Sequence, residues 1–161
     1  MMKFVIGFIF LCLSSVDVSP QKEDIVISVI LKNVIGKSFT FNQSDRKDYL
    51  NDVIITYLGK VETKNKSKYH ILTWGRIWGP NRHTTGTILL YDYKKRYFGK
   101  YVLGAINDLP VKLDCNKLLF DNKQKIDCDQ SIMTTIDFET IPKDIFLKCN
   151  GDQGDIYELS F

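Results

Sequence analysis

The residue types best suited to chemistry crowd into one stretch, Trp74-Gly75-Arg76-Ile77-Trp78-Gly79-Pro80-Asn81-Arg82-His83-Thr84-Thr85-Gly86. It holds both tryptophans of the chain, two arginines and one of the two histidines. An arginine guanidinium is a planar fork that matches carboxylate or phosphate oxygens. Trp and Arg also bury large area at low entropic cost, which is why they dominate recognition surfaces. Three glycines and a proline predict a loop of special backbone shape over residues 74–86. Trp74, Arg76, Trp78, Asn81, Arg82, His83 and Thr84 are therefore the candidate ligand-binding residues. The two tryptophans would suit a core equally well, since Trp is usually well buried. The tip Arg82-His83-Thr84-Thr85 would do nothing for a core.

Catalysis is the competing chemistry for the same residues. His83-Thr84-Thr85 has the His-x-Thr spacing of phosphoesterases that carry two such motifs, in which the imidazole moves a proton and the hydroxyl holds phosphate. Here a second copy is lacking, because His70-Ile71-Leu72 has no hydroxyl. A ribonuclease-like arrangement would pair His83 with an acid such as Glu62 and use Arg76 or Arg82 for the phosphate; His83, Thr85 and Arg82 are the alternative catalytic candidates. No P-loop, Rossmann fingerprint or HExxH occurs, and the Gly-x-Ser-x-Gly elbow of serine hydrolases is missing. Asn150-Gly151-Asp152-Gln153-Gly154-Asp155 is oxygen-rich but does not match an EF-hand loop. The reading therefore carries no metal, no cofactor and no assigned catalytic residue.

Charge sharpens the picture. The 161 residues carry a net charge of only +3, which excludes a histone-like polycation and disfavours nucleic acid as a partner. Within residues 68–103, however, Lys68, Arg76, Arg82, Lys94, Lys95, Arg96 and Lys100 stand against Asp92 alone. Residues 104–161 are acidic, with six basic and eleven acidic side chains. The basic section is also the aromatic one, so the expected partner is an acidic protein or an anionic ligand. Lys94-Lys95-Arg96 is expected to be a solvated hairpin turn.

Met1-Met2-Lys3 precedes about ten apolar residues that end at Cys12-Leu13-Ser14-Ser15. One positive charge, a short apolar run and small residues make the layout of a secretory signal over residues 1–14. The run is too short for a membrane-spanning helix. A lipid anchor at Cys12 ranks lower, because Leu11 stands where such signals carry a small residue. The expected location is secreted, periplasmic or cell-surface, with residues 15–161 forming one domain.

Three cysteines remain, an odd number for an exported chain. A hairpin centred on Asp121-Asn122 would place Cys115 and Cys128 directly across the ladder, so a Cys115–Cys128 disulfide is expected, with Cys149 a buried thiol. Zinc-ligand spacing is missing. Asn42-Gln43-Ser44 and Asn65-Lys66-Ser67 are glycosylation sequons, relevant in a eukaryotic host.

The elements that must position the loop are mostly strands. Residues 25–31 form a β-branched apolar run read as a buried strand, with residues 37–41 as its hairpin partner. Tyr49, Leu50, Val53, Ile54, Tyr57 and Leu58 fall on one helical face, with Ser44 as cap and Gly59 as stop, which predicts a helix near residues 45–58. Residues 69–74, 86–91, 97–103, 117–120, 125–128, 132–138, 145–148 and 156–161 read as strands separated by turn signals. The expected fold is β-rich α+β: an antiparallel sheet, sandwich or partly open barrel with one helix. A structural or adhesion component that pairs through edge strands is a third functional reading.

Overall fold

A computed structural model describes residues 20–161. The expected leader, residues 1–14, and Cys12 lie outside the described residues. The described residues form one α-helix, α1 (Pro20–Lys32), and ten strands: β1 (Ser38–Asn42), β2 (Asn51–Glu62), β3 (Lys68–Trp78), β4 (His83–Asp92), β5 (Tyr97–Leu103), β6 (Lys112–Asp114), β7 (Lys117–Asp121), β8 (Met133–Asp137), β9 (Asp144–Asn150) and β10 (Gln153–Ser160). Seven strands make one antiparallel sheet in the order β1-β2-β3-β4-β5-β10-β9. The other three, β6-β7-β8, make a small second sheet. The β-rich α+β class is as the sequence indicated, and the large sheet is open rather than a closed barrel.

Three layers result. On one face of the large sheet, Val26, Val29 and Ile30 of α1 pack against Val53, Ile55, Tyr57, Leu72 and Tyr91. On the other face, Ile71, Ile88, Leu90 and Tyr101 pack against Leu118 and Phe120 of the small sheet, with Phe138 beside them. Two apolar cores on opposite faces mean that the central strands are buried on both sides. Gly75 and Gly86 sit opposite each other on β3 and β4. A side chain on either would collide with the turn at residues 105–109: an added Cβ on Gly75 would lie 3.0 Å from Ile106, and one on Gly86 would lie 2.5 Å from the Ala105 carbonyl. These glycines let that turn lie close against the sheet.

Several expectations are corrected. Residues 25–31 are helix, not strand. Pro20 opens α1, where its missing N–H costs nothing, Glu23 sits in the first turn and Lys32 in the last, and Asn33 ends it at φ +52°. Residues 45–58 are not helical: residues 45–49 are turns, and β2 starts at Asn51. β2, rather than a strand at 25–31, is the partner of β1. Residues 125–128 form turns, and β7 pairs with β6 and β8 instead. Cys115 is consequently a free, exposed thiol in the β6–β7 turn, and the disulfide joins Cys128 to Cys149. The last strand, β10, lies between β5 and β9.

Candidate functional site

The segment expected to be a loop is a hairpin. β3 continues to Trp78, β4 begins at His83, and only Gly79-Pro80-Asn81-Arg82 forms the turn. Gly79 and Arg82 both take positive φ, +74° and +53°. Glycine adopts that conformation at no steric cost, while a positive φ is uncommon for arginine.

Strand pleating sorts the candidate residues by face. Trp74, Arg76 and Trp78 alternate along β3 onto the face that carries α1. Directly opposite on β4 stand Thr87, Thr85 and His83. Thr84 pairs with Ile77 and faces the other way. Asn81 and Arg82 are exposed at the turn. The structure thus brings together Trp74, Arg76, Trp78, His83 and Thr85, sets Asn81 and Arg82 at the adjoining tip, and separates Thr84 from them. Trp74 is half-buried and packs against the core beneath α1. That core stops at Trp74 on β3, and beyond it the face is lined by Arg76, Trp78 and His83.

Local contacts fix the geometry there. The Arg76 Nε–H donates to Asn51 Oδ1 at 2.9 Å. The guanidinium carbon lies 5.3 Å from the Trp78 ring centroid, within cation–π range. The Trp78 and His83 rings are 5.9 Å apart and tilted by 38°. Neither Arg76 nor Arg82 has a carboxylate within 4.0 Å among the described residues. Asp52, the acid nearest in sequence on β2, faces the opposite side and accepts a hydrogen bond from Asn42 Nδ2 at 2.8 Å. Orientation by Asn51 leaves the terminal nitrogens of the Arg76 fork for an outside acceptor.

Three contributors escaped the sequence reading. Asn51 holds Arg76, and Tyr49 lies against the turn at Gly79. Arg46 extends the basic surface, its guanidinium 5.5 Å from the Tyr49 ring centroid. No local pattern points to them, because loop 43–50 reaches the turn only through tertiary packing, with the Gly79 N–H donating to the Leu50 carbonyl at 3.0 Å.

The catalytic alternative fares differently. His83 and Thr85 do share a face. Glu62, however, sits at the opposite end of β2, paired in register with Lys68, whereas Asn51 pairs with Trp78. Eleven residues of strand put it roughly 35 Å from His83. Lys68 and Lys66 hold its carboxyl below the usual range, so it belongs to a surface ion-pair network. Among the described residues no cluster of His, Cys, Asp and Glu is arranged to hold a metal ion. In comparison with known proteins, the chain matches no family model, no curated protein and no solved structure.

Proposed function

We propose that this chain is an exported binding protein that grips an acidic group of a partner with Arg76, Trp78 and His83, assisted by Asn81 and Arg82 at the turn. The role is that of an inhibitor or immunity-type protein for a secreted enzyme, or of a surface ligand-binding module. One observation carries the reading: a guanidinium braced by Asn51 and seated beside Trp78 has no carboxylate within 4.0 Å among the described residues. A bound carboxylate would complete a bidentate pair with an oriented fork, so little side-chain freedom would be lost on binding. The Cys128–Cys149 disulfide supports an oxidising, exported setting.

The test is capture from the native extracellular or periplasmic fraction, with wild-type protein and the Arg76→Glu/Arg82→Glu variant side by side. The reading expects a specific partner whose affinity falls at least tenfold in the variant. Equal capture by both would overturn it. Hydrolysis of RNA, DNA or a cyclic phosphodiester that is lost in His83→Ala and kept in His70→Ala would replace it with an enzyme.

A further inference from the structure

The opposite end of β3 carries a second, unrelated surface. The carboxyl end of α1 and the turn after it leave Leu31 63% and Ile35 66% exposed, with Val34 beside them. Tyr93, at the β4–β5 turn, is 63% exposed. Between these turns lies a cleft of about 340 Å³ lined by Leu31, Asn33, Lys60, His70, Tyr93 and Lys95. His70 is only 4% exposed. Its Nδ1 is 3.0 Å from the Tyr57 hydroxyl, and its Nε2 has no hydrogen-bond partner among the described residues.

Lys60 and Lys95 line the cleft, and Lys32 and Lys37 stand beside Phe39 of β1. Lys60 Nζ lies 5.8 Å from the Tyr93 ring centroid, and the Nζ atoms of Lys32 and Lys37 lie 4.3 and 5.6 Å from that of Phe39. None of Lys32, Lys37, Lys60 or Lys95 has a carboxylate within 4.0 Å among the described residues. Burial, then Lys60 and more weakly Lys95, press the His70 pKa down, against the Tyr93 main chain, which raises it. Asp92 opposes them, but it is committed to Arg96 at 2.8 Å. The carbonyl end of α1 adds a partial negative charge of about one half, which four ammonium groups outweigh.

We infer that this end of the molecule docks on an anionic phospholipid surface. Leu31, Val34, Ile35 and Tyr93 enter the boundary between headgroups and acyl chains, and Lys32, Lys37, Lys60 and Lys95 meet the lipid phosphates. The residue types favour lipid over an acidic protein. Lysine is depleted at protein interfaces, whereas flexible lysines around aliphatic side chains and a tyrosine suit a membrane interface. Each lysine brought to an anionic leaflet strengthens attachment by about fivefold. His70 and Trp78 are eight residues apart on β3, roughly 26 Å, so the recognition face stays free when this end is docked.

The test is co-sedimentation of the full chain with vesicles of phosphatidylcholine alone and of phosphatidylcholine mixed with phosphatidylglycerol. The apolar leader carries Lys3 and would itself favour the mixed vesicles, but its attachment would be common to every variant, so the comparison among variants isolates this surface. Binding is expected to be at least tenfold stronger to the mixed vesicles and to weaken with salt. Lys60→Glu/Lys95→Glu should remove that preference, Ile35→Ser should weaken it, and Arg76→Glu/Arg82→Glu should leave it intact. Melting temperatures establish that the variants fold, and the salt dependence of the wild type serves if they do not. Equal binding to the two vesicles overturns the inference, as does a preference that survives charge reversal at Lys60 and Lys95. No vesicle binding at all also overturns it, and leaves an acidic protein as the occupant.

Discussion

Replacing both Cys128 and Cys149 by serine should lower the stability of this domain by about 3 kcal/mol. The bond closes a segment with a sequence separation of 21 residues. In the chain-entropy account a loop of that length restrains the unfolded chain by roughly 3 kcal/mol. The folded state itself should change little, because other bonds hold the same segment to β9. Buried Asn122 donates through Nδ2 to the Lys148 carbonyl at 2.9 Å and to the Asp129 carbonyl at 3.2 Å. The Asp129 N–H donates to the Cys149 carbonyl at 2.9 Å, and Asn150 Nδ2 donates to the Asp127 carbonyl at 2.9 Å. The double variant should therefore keep the wild-type far-ultraviolet spectrum and melt about 10 °C lower, since 1 kcal/mol moves a domain of this size by roughly 3–5 °C. Cys115→Ser, at an exposed turn, should change stability by no more than about 0.5 kcal/mol. Thermal denaturation of the wild type, the double variant, Cys115→Ser and Cys149→Ser under non-reducing conditions is the assay. A loss in Cys115→Ser, with none in Cys149→Ser, would restore the Cys115–Cys128 pairing and refute the packing described for residues 122–132.

Gly86→Ala should destabilise by about 1–3 kcal/mol in denaturant titrations, because the new Cβ would sit 2.5 Å from a main-chain oxygen. Gly151→Ala, with open space but φ +55°, should cost only about 1 kcal/mol. His70 is held neutral by burial, so its folded pKa lies below the ordinary 6.5. The unfolded chain then binds the proton more tightly. Stability should be full above that value and decline as the pH falls through and below it, and His70→Asn should remove this part of the slope. Burial pushes Tyr91 and Tyr157 up to about 12. Their phenol absorbance should change only well above the ordinary 10.0, and the stability they contribute should be lost as the pH rises from 10 towards 12.

Much of the scaffold was legible, and the misses share a physical origin. The β4–β5 hairpin and the strands β3, β7 and β9 follow from β-branched, aromatic runs punctuated by turn residues. The helix lies at Pro20–Lys32 rather than near residues 45–58, and the two segments carry similar signals. Ile25, Val26, Val29 and Ile30 fall at i, i+1, i+4 and i+5, as do Tyr49, Leu50, Val53 and Ile54. Both also carry end signals, Pro20, Glu23, Lys32 and Asn33 in one and Ser44 and Gly59 in the other; the β-branched run Val53-Ile54-Ile55-Thr56 is what suits the second to a strand. β2 carries apolar residues on both faces, Val53, Ile55 and Tyr57 beneath α1 and the half-buried Ile54 on the other, which hides in the sequence the alternation that would have marked it as a strand. Gly75 and Gly86 suggest a loop by residue type, whereas they lie in strands and make room for Ile106 and Leu109. The alternation Trp74, Arg76, Trp78 was visible all along and fits a strand. What no local pattern could show was the long-range part: Asn51 bracing Arg76, Tyr49 beneath the turn, and Cys149 reaching Cys128.

The recognition face is tested most directly by the affinity for the captured partner, measured against salt with the tryptophans as the probe. Trp74 and Trp78 are the only two in the chain, and both lie on this face, so a binding signal in their fluorescence reports the site itself. The wild type should show a fluorescence change and an affinity that falls steeply with added salt. Arg76→Glu/Arg82→Glu should weaken binding at least tenfold and flatten the salt dependence, while Lys60→Glu/Lys95→Glu should leave both unchanged. An affinity and salt slope untouched by reversal at Arg76 and Arg82, with the tryptophan emission silent, would contradict the account.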